Sequence, residues 1–144
     1  MNNILVVCIG NICRSPMAEA LLKRALPNRL VHSAGLGALV GKGADPHSIE
    51  LMAEQGIDIS DHVAQQITQV LVTEADVIFV MDLEQKRYIE SQYMGARGKV
   101  FRLGEVAKVD IPDPYREGIE SFRNAHQLIV DGVQAWASQI EQIA

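Results

Sequence analysis

A chain of 144 residues is the length of one domain, which typically takes ~100–200 residues. Its 48% hydrophobic and 22% charged residues are globular proportions and exclude disordered, collagen-like and low-complexity classes. Thirteen Lys and Arg against eighteen Asp and Glu leave a net charge of −5, the wrong sign for a surface that grips nucleic acid or anionic membrane throughout, so any anion must be bound locally.

Ile4 to Cys8 is an unbroken apolar run rich in β-branched residues, which predicts a strand buried on both faces of a parallel sheet. The run is too short to span a bilayer and no Lys or Arg precedes it, so neither membrane insertion nor a secretory signal is expected and the protein reads as cytoplasmic. After Gly10-Asn11, Ser15-Pro16 predicts a helix cap and a first-turn proline; Ala18, Leu21, Leu22 and Ala25 then share one helical face until Pro27. Leu30 to Ala34 reads as a second strand, followed by a glycine-rich stretch, Gly35 to Gly43, expected to be a mobile pocket loop. Asp45-Pro46 opens a helix that closes at Gly56.

Asp76 to Met81 reads as a third strand ending at a helix cap, Asp82, and Val100 to Leu103 as a fourth after the turn Gly95 to Gly98. In the last segment Ile119, Phe122, His126, Ile129, Val133, Trp136, Ile140 and Ile143 recur at spacings of three and four, the stripe of a long helix packed on a sheet. Trp136, Met81 and Met94 are expected in the core. The alternation predicts a single three-layer α/β domain over residues 1–144. Its four-stranded parallel sheet would be flanked by helices, with right-handed crossovers and a ligand crevice at the carboxyl ends of the strands.

The chemistry sits between the first strand and the first helix, in Val7-Cys8-Ile9-Gly10-Asn11-Ile12-Cys13-Arg14-Ser15-Pro16. Backbone N–H groups of residues 9–13 and the positive end of the helix can converge there on a phosphate. Cys8, at the strand end, is the candidate nucleophile, because the helix terminus and Arg14 favour thiolate over thiol. The planar fork of Arg14 matches two phosphoryl oxygens at once. Gly10 keeps the backbone close to the ligand, and Asn11 is a residue type that tolerates a left-handed backbone.

These ten residues resemble the hallmark Val-Cys-x-Gly-Asn-x-Cys-Arg-Ser-Pro of the low-molecular-weight protein tyrosine phosphatases. Ser33-Ala34-Gly35, Gly41, Asp45-Pro46, His62-x-Ala64-x-Gln66, Met81-Asp82 and Asp113-Pro114-Tyr115 follow in the family's order. The chain looks closest to the bacterial branch linked to tyrosine kinases of capsule and exopolysaccharide export.

The resemblance implies that Asp113 is the general acid, on a loop stiffened by Pro112 and Pro114, and that phosphotyrosine is hydrolysed through a phosphocysteine without metal or cofactor. It places Asn11, Ser15, Ser33 and His62 in the network that shapes the loop; Ser15 would also stabilise the leaving thiolate. It implies a protective, reversible disulfide between Cys8 and Cys13. Leu39, where many relatives carry an aromatic residue, and Tyr115 would flank the substrate ring, with Arg116 or Lys42 at the rim for an acidic or phosphorylated peptide. Arg116 stands where eukaryotic members have a second tyrosine. The implied partner is a phosphotyrosine protein, a bacterial tyrosine autokinase, acted on by a monomer or weak dimer.

Cysteine and histidine spacing agrees with a metal-free site, since Cys8, Cys13, His32, His47, His62 and His126 lack the close pairs of a zinc centre. Three rivals share the cradle. A thioredoxin-coupled arsenate reductase needs cysteines beyond Cys13, and the chain has none. A phosphocysteine carrier of a sugar transport system needs no general acid, and a phosphate-binding module needs no nucleophile.

Overall fold

A computed structural model describes residues 1–143. The strands are β1 (Asn3–Cys8), β2 (Leu30–Gly35), β3 (Val77–Val80) and β4 (Val100–Arg102). The helices are α1 (Arg14–Ala25), α2 (Pro46–Glu54), α3 (Gln69–Glu74), α4 (Leu83–Gln92) and α5 (Ile119–Ile143). The sheet order is β2-β1-β3-β4 and every pairing is parallel.

The unbroken apolar character of β1 has a direct structural cause. Ile4, Val6 and Cys8 face a core shared with α1, α2 and α5, while Leu5 and Val7 face a second core shared with α3 and α4. Val77 and Phe79 repeat the first assignment and Ile78 and Val80 the second, so both faces of the sheet are covered and three layers result. Phe122, Ile129, Val133, Trp136 and Ile140 of α5 are buried as their spacing predicts; the side chain of Ile143 lies outside the described residues. Trp136 packs on Phe79 and Phe101 and donates its indole N–H to the Arg102 carbonyl, a packing role.

Several expectations need correction. Helix α1 begins at Arg14, with Cys13 at its N-cap position and no side-chain cap, so Ser15 is not the cap. The other helix starts follow their local chemistry: Asp45 caps α2, Thr68 caps α3 and Asp82 caps α4. The six-residue α3 was not foreseen, since it is too short for a periodic signal and only Thr68 marks its start. Met94 is 85% exposed rather than core, because it sits in the turn after α4. The glycine-rich stretch is tied down: Ala38 N–H donates to Gln66 Oε1, Gly41 N–H to the Ala64 carbonyl and Ala64 N–H to the Lys42 carbonyl. None of the described helices is long and apolar enough to cross a membrane.

Candidate active site

Between β1 and α1 the backbone turns itself inside out. The carbonyls of Cys8, Ile9 and Gly10 accept from the N–H groups of Leu36, Gly37 and Leu39, at 3.0 Å each. The Asn11 carbonyl accepts from His62 Nε2 at 2.7 Å, that of Ile12 from Asp45 N–H at 2.8 Å, and that of Cys13 from Ser48 Oγ at 3.1 Å. Six consecutive acceptors thus point away from the loop's centre and are satisfied, whereas the N–H groups of residues 9–13 have no acceptor among the described residues. Buried backbone donors are rarely left this way, and a run of them at an uncapped helix start is an anion site.

The fold makes this possible at two positions. Asn11 adopts φ +59°, the left-handed conformation read from its type. At Gly35 a Cβ would fall 2.5 Å from the Ile9 carbonyl oxygen, so only glycine lets β2 approach the loop. Gly10 is less constrained, since its Cβ would meet Ile12 and Leu39 at ordinary contact distances.

Cys8 is a buried free thiol whose Sγ lies 2.9 Å from Ser15 Oγ. The direction of the surrounding hydrogen bonds follows from one amide. Gln65 N–H donates to Asn11 Oδ1 at 2.9 Å, so Asn11 Nδ2 must donate, to Ser15 Oγ at 2.7 Å and to Ser33 Oγ at 3.0 Å. Ser15 is thereby left with its own hydrogen for Cys8, and Ser33 with its own for the Glu19 carboxylate. Of the two roles expected of the Ser15 hydroxyl, helix cap and partner of the thiolate, the structure shows only the contact with the sulfur. Glu19, Gln65 and Ser48 were missed; of these only Glu19 carries a signal, lying one helical turn after Ser15.

Arg14 is buried and reaches across to a separate loop. Its Nη1 donates to the Ile111 carbonyl at 2.8 Å and its Nη2 lies 3.7 Å from Asp113 Oδ2. Its Nε is buried without an acceptor among the described residues. The Asp113 loop is held independently, through Ile111 N–H on the Met81 carbonyl and Asp110 on Arg102. Asp113 Oδ1 also accepts Tyr115 N–H at 3.1 Å, so the aspartate shapes the local turn as well as facing the cradle.

A cavity of about 120 Å³ joins these parts, walled by Ile12, Leu39, Tyr115 and Asp113 above Cys8 and Arg14. Arg116 lies over the Tyr115 ring, 5.3 Å from its centroid, and neither it nor Lys42 lines the cavity. Cys13, also a free thiol, is pushed well above its ordinary pKa by burial first and the Asp45 carboxylate second.

The chain belongs to the low molecular weight phosphotyrosine protein phosphatase family, whose model matches residues 3–143. It is an enzyme of the protein-tyrosine-phosphatase class. It is 54% identical over 143 residues to the probable low molecular weight protein-tyrosine-phosphatase EpsP of Ralstonia nicotianae, with 99% of each chain covered. With Wzb of Escherichia coli K12 the identity is 47%, covering 96% of this chain and 95% of the relative. Among solved structures, Vibrio vulnificus Wzb in complex with benzylphosphonate superimposes with a TM-score of 0.92 at 43% identity, covering 96% and 98% of the two chains. The YwlE arginine phosphatase from Geobacillus stearothermophilus also gives 0.92, at 32% identity over 99% and 94%.

Proposed function

We propose that this chain, as a single phosphatase domain, hydrolyses phosphotyrosine in two steps at Cys8. The carrying observation is the run of outward, satisfied carbonyls at residues 8–13 opposed to inward, unpartnered N–H groups. Those donors and the orphaned Arg14 Nε take the phosphoryl oxygens. Cys8 Sγ attacks phosphorus and the bond to the tyrosyl oxygen breaks, while Asp113 passes its proton to that oxygen. Asp113 then takes a proton from water as the water oxygen attacks phosphorus. The S–P bond breaks, inorganic phosphate leaves, and the Ser15 hydroxyl receives the thiolate.

The walls favour an aryl group. Ile12, Leu39 and Tyr115 offer apolar surface, and Asp113 is the one carboxylate lining the cavity, whereas a guanidino group calls for more acceptors. The benzylphosphonate bound by the Vibrio relative likewise joins a phenyl ring to a tetrahedral phosphorus group. The Wzb and EpsP relatives support a bacterial tyrosine autokinase controlling exopolysaccharide or capsule production as the substrate protein, dephosphorylated in the cytoplasm.

Phosphate release from phosphotyrosine, phosphoserine and phosphoarginine peptides, with EDTA present, tests the reading against Cys8→Ser. Tyrosine-selective release that disappears in the variant is expected. Release from phosphoarginine in preference would transfer the chain to the YwlE activity; no release from any peptide would bring the carrier and reductase readings forward.

A further inference from the structure

Three hollows meet at Ile9, a residue 44% exposed at the mouth of the cradle. The smallest is the cradle. A second, of about 340 Å³, runs between Ile9, Leu36 and Gly37 on one side and Glu84, Gln85 and Tyr88 of α4 on the other. A third, of about 440 Å³, extends from Arg14 and Asp113 past Asp110 to the same end of α4. On the phosphotyrosine reading, the substrate side chain would occupy the cradle and leave both larger hollows for the chain that carries it.

Gln85 lines both, and its amide is incomplete. The residue is 3% exposed, and its Oε1 accepts Met81 N–H at 2.8 Å, which fixes the amide's orientation. Its Nε2 is buried with no acceptor among the described residues. Native structures rarely leave such a donor unmatched; it lies beneath the surface of a residue that lines both hollows, and a small outward shift of the side chain would let a carbonyl oxygen from an incoming backbone match it.

The charges around the groove select what comes with that backbone. Asp82 uses one oxygen to cap α4, and Asp110 is paired with Arg102 at 3.0 Å. Glu84 forms no ion pair among the described residues, and Tyr88, four residues on, shares its helical face. Lys86 of the same helix is drawn away over the Phe101 ring.

We infer that this groove binds the residues flanking the substrate phosphotyrosine, taking a backbone carbonyl on Gln85 Nε2 and a Lys or Arg side chain between the Glu84 carboxylate and the Tyr88 ring. The inference rests on the phosphotyrosine reading and specifies its substrate class. It reverses the expectation of an acidic peptide, because Arg116 is spent on Tyr115 and neither it nor Lys42 lines any of the three hollows.

The test compares kcat/KM on two phosphotyrosine peptides that differ only in carrying Lys and Arg, or Asp and Glu, beside the phosphotyrosine. Turnover of p-nitrophenyl phosphate reads the cradle alone. The wild type is expected to prefer the basic peptide by about tenfold at low ionic strength, with the ratio shrinking as salt is added. Glu84→Lys should bring the ratio to one or below; because the ratio is taken within each variant, any loss of folded enzyme cancels. Gln85→Glu keeps the acceptor for Met81 and removes the donor, so KM should rise several-fold on both peptides and less on p-nitrophenyl phosphate. Equal kcat/KM on the two wild-type assays, preference for the acidic peptide, or a Glu84→Lys loss shared equally by p-nitrophenyl phosphate would overturn the groove. Failure to turn over p-nitrophenyl phosphate at all would instead overturn the phosphatase reading on which it stands.

Discussion

Cys8 and Cys13 lie on one loop and are given opposite surroundings. Cys8 faces a hydroxyl whose hydrogen is reserved for it by Asn11, while Cys13 faces the Asp45 carboxylate, 3.9 Å away, inside the core. Removing the hydroxyl deletes a hydrogen bond to a charged sulfur, worth about 1.5–3 kcal/mol, so Ser15→Ala should lower kcat by roughly 10–100-fold. Rapid-mixing assays on p-nitrophenyl phosphate should then show a burst of phenolate followed by slow turnover; an unchanged kcat would remove Ser15 from the second step. The raised pKa of Cys13 predicts a pH effect on stability. An unfolded chain releases this proton near pH 9.0 while the folded one keeps it. The folded state therefore binds more protons, and stability falls as pH rises above 9, by up to about 1.4 kcal/mol per unit from this group. Urea unfolding at pH 8 and pH 10 should show a loss roughly 1 kcal/mol smaller in Cys13→Ala than in the wild type.

Helix α5 passes so close to the end of β4 that a Cβ on Gly132 would stand 2.6 Å from the Leu103 carbonyl oxygen. Alanine in a helix interior ordinarily gains about 1 kcal/mol over glycine. Here it must push the helix off the sheet, and overpacking of this kind costs about 1–3 kcal/mol. Gly132→Ala should therefore lower Tm by several degrees, and a rise would show that α5 can retreat freely. That contact was invisible in the sequence, although the helix carrying it was plain from its three-and-four spacing. The same contrast holds elsewhere. β1 and β3 were legible because burial on both faces leaves a continuous apolar run, whereas α3 is shorter than the period needed to reveal it. The start of α1 was misplaced: Ser15 before Pro16 reads as a cap, but Cys13 holds that position and the Ser15 hydroxyl makes only the other contact expected of it, to the Cys8 sulfur.

At the scale of the molecule, the candidate nucleophile and guanidinium were legible because Cys8 and Arg14 sit in a motif of fixed spacing between a strand and a helix, whereas the acid candidate, Asp113, came only from the family resemblance. The support was legible only in part: the resemblance pointed to Asn11, Ser15, Ser33 and His62, but not to the side chains and amides that meet only through the fold, Glu19, Ser48, Gln65 and the N–H groups of residues 36, 37 and 39. Those distant partners have an energetic meaning. The loop closes at residue 13, yet its carbonyls are held outward by partners up to 51 residues further along the chain. Once those segments have docked, the N–H dipoles of residues 9–13 are held pointing inward and repel one another. An anion seated among them relieves the repulsion. Inorganic phosphate, the product of the reaction, binds the assembled ring and not the unfolded chain, so at a hundred times its dissociation constant it should add about 2.7 kcal/mol to stability. Tm should rise with phosphate in the wild type and much less in Arg14→Ala, so that the compound released by the proposed reaction also holds together the loop that made it.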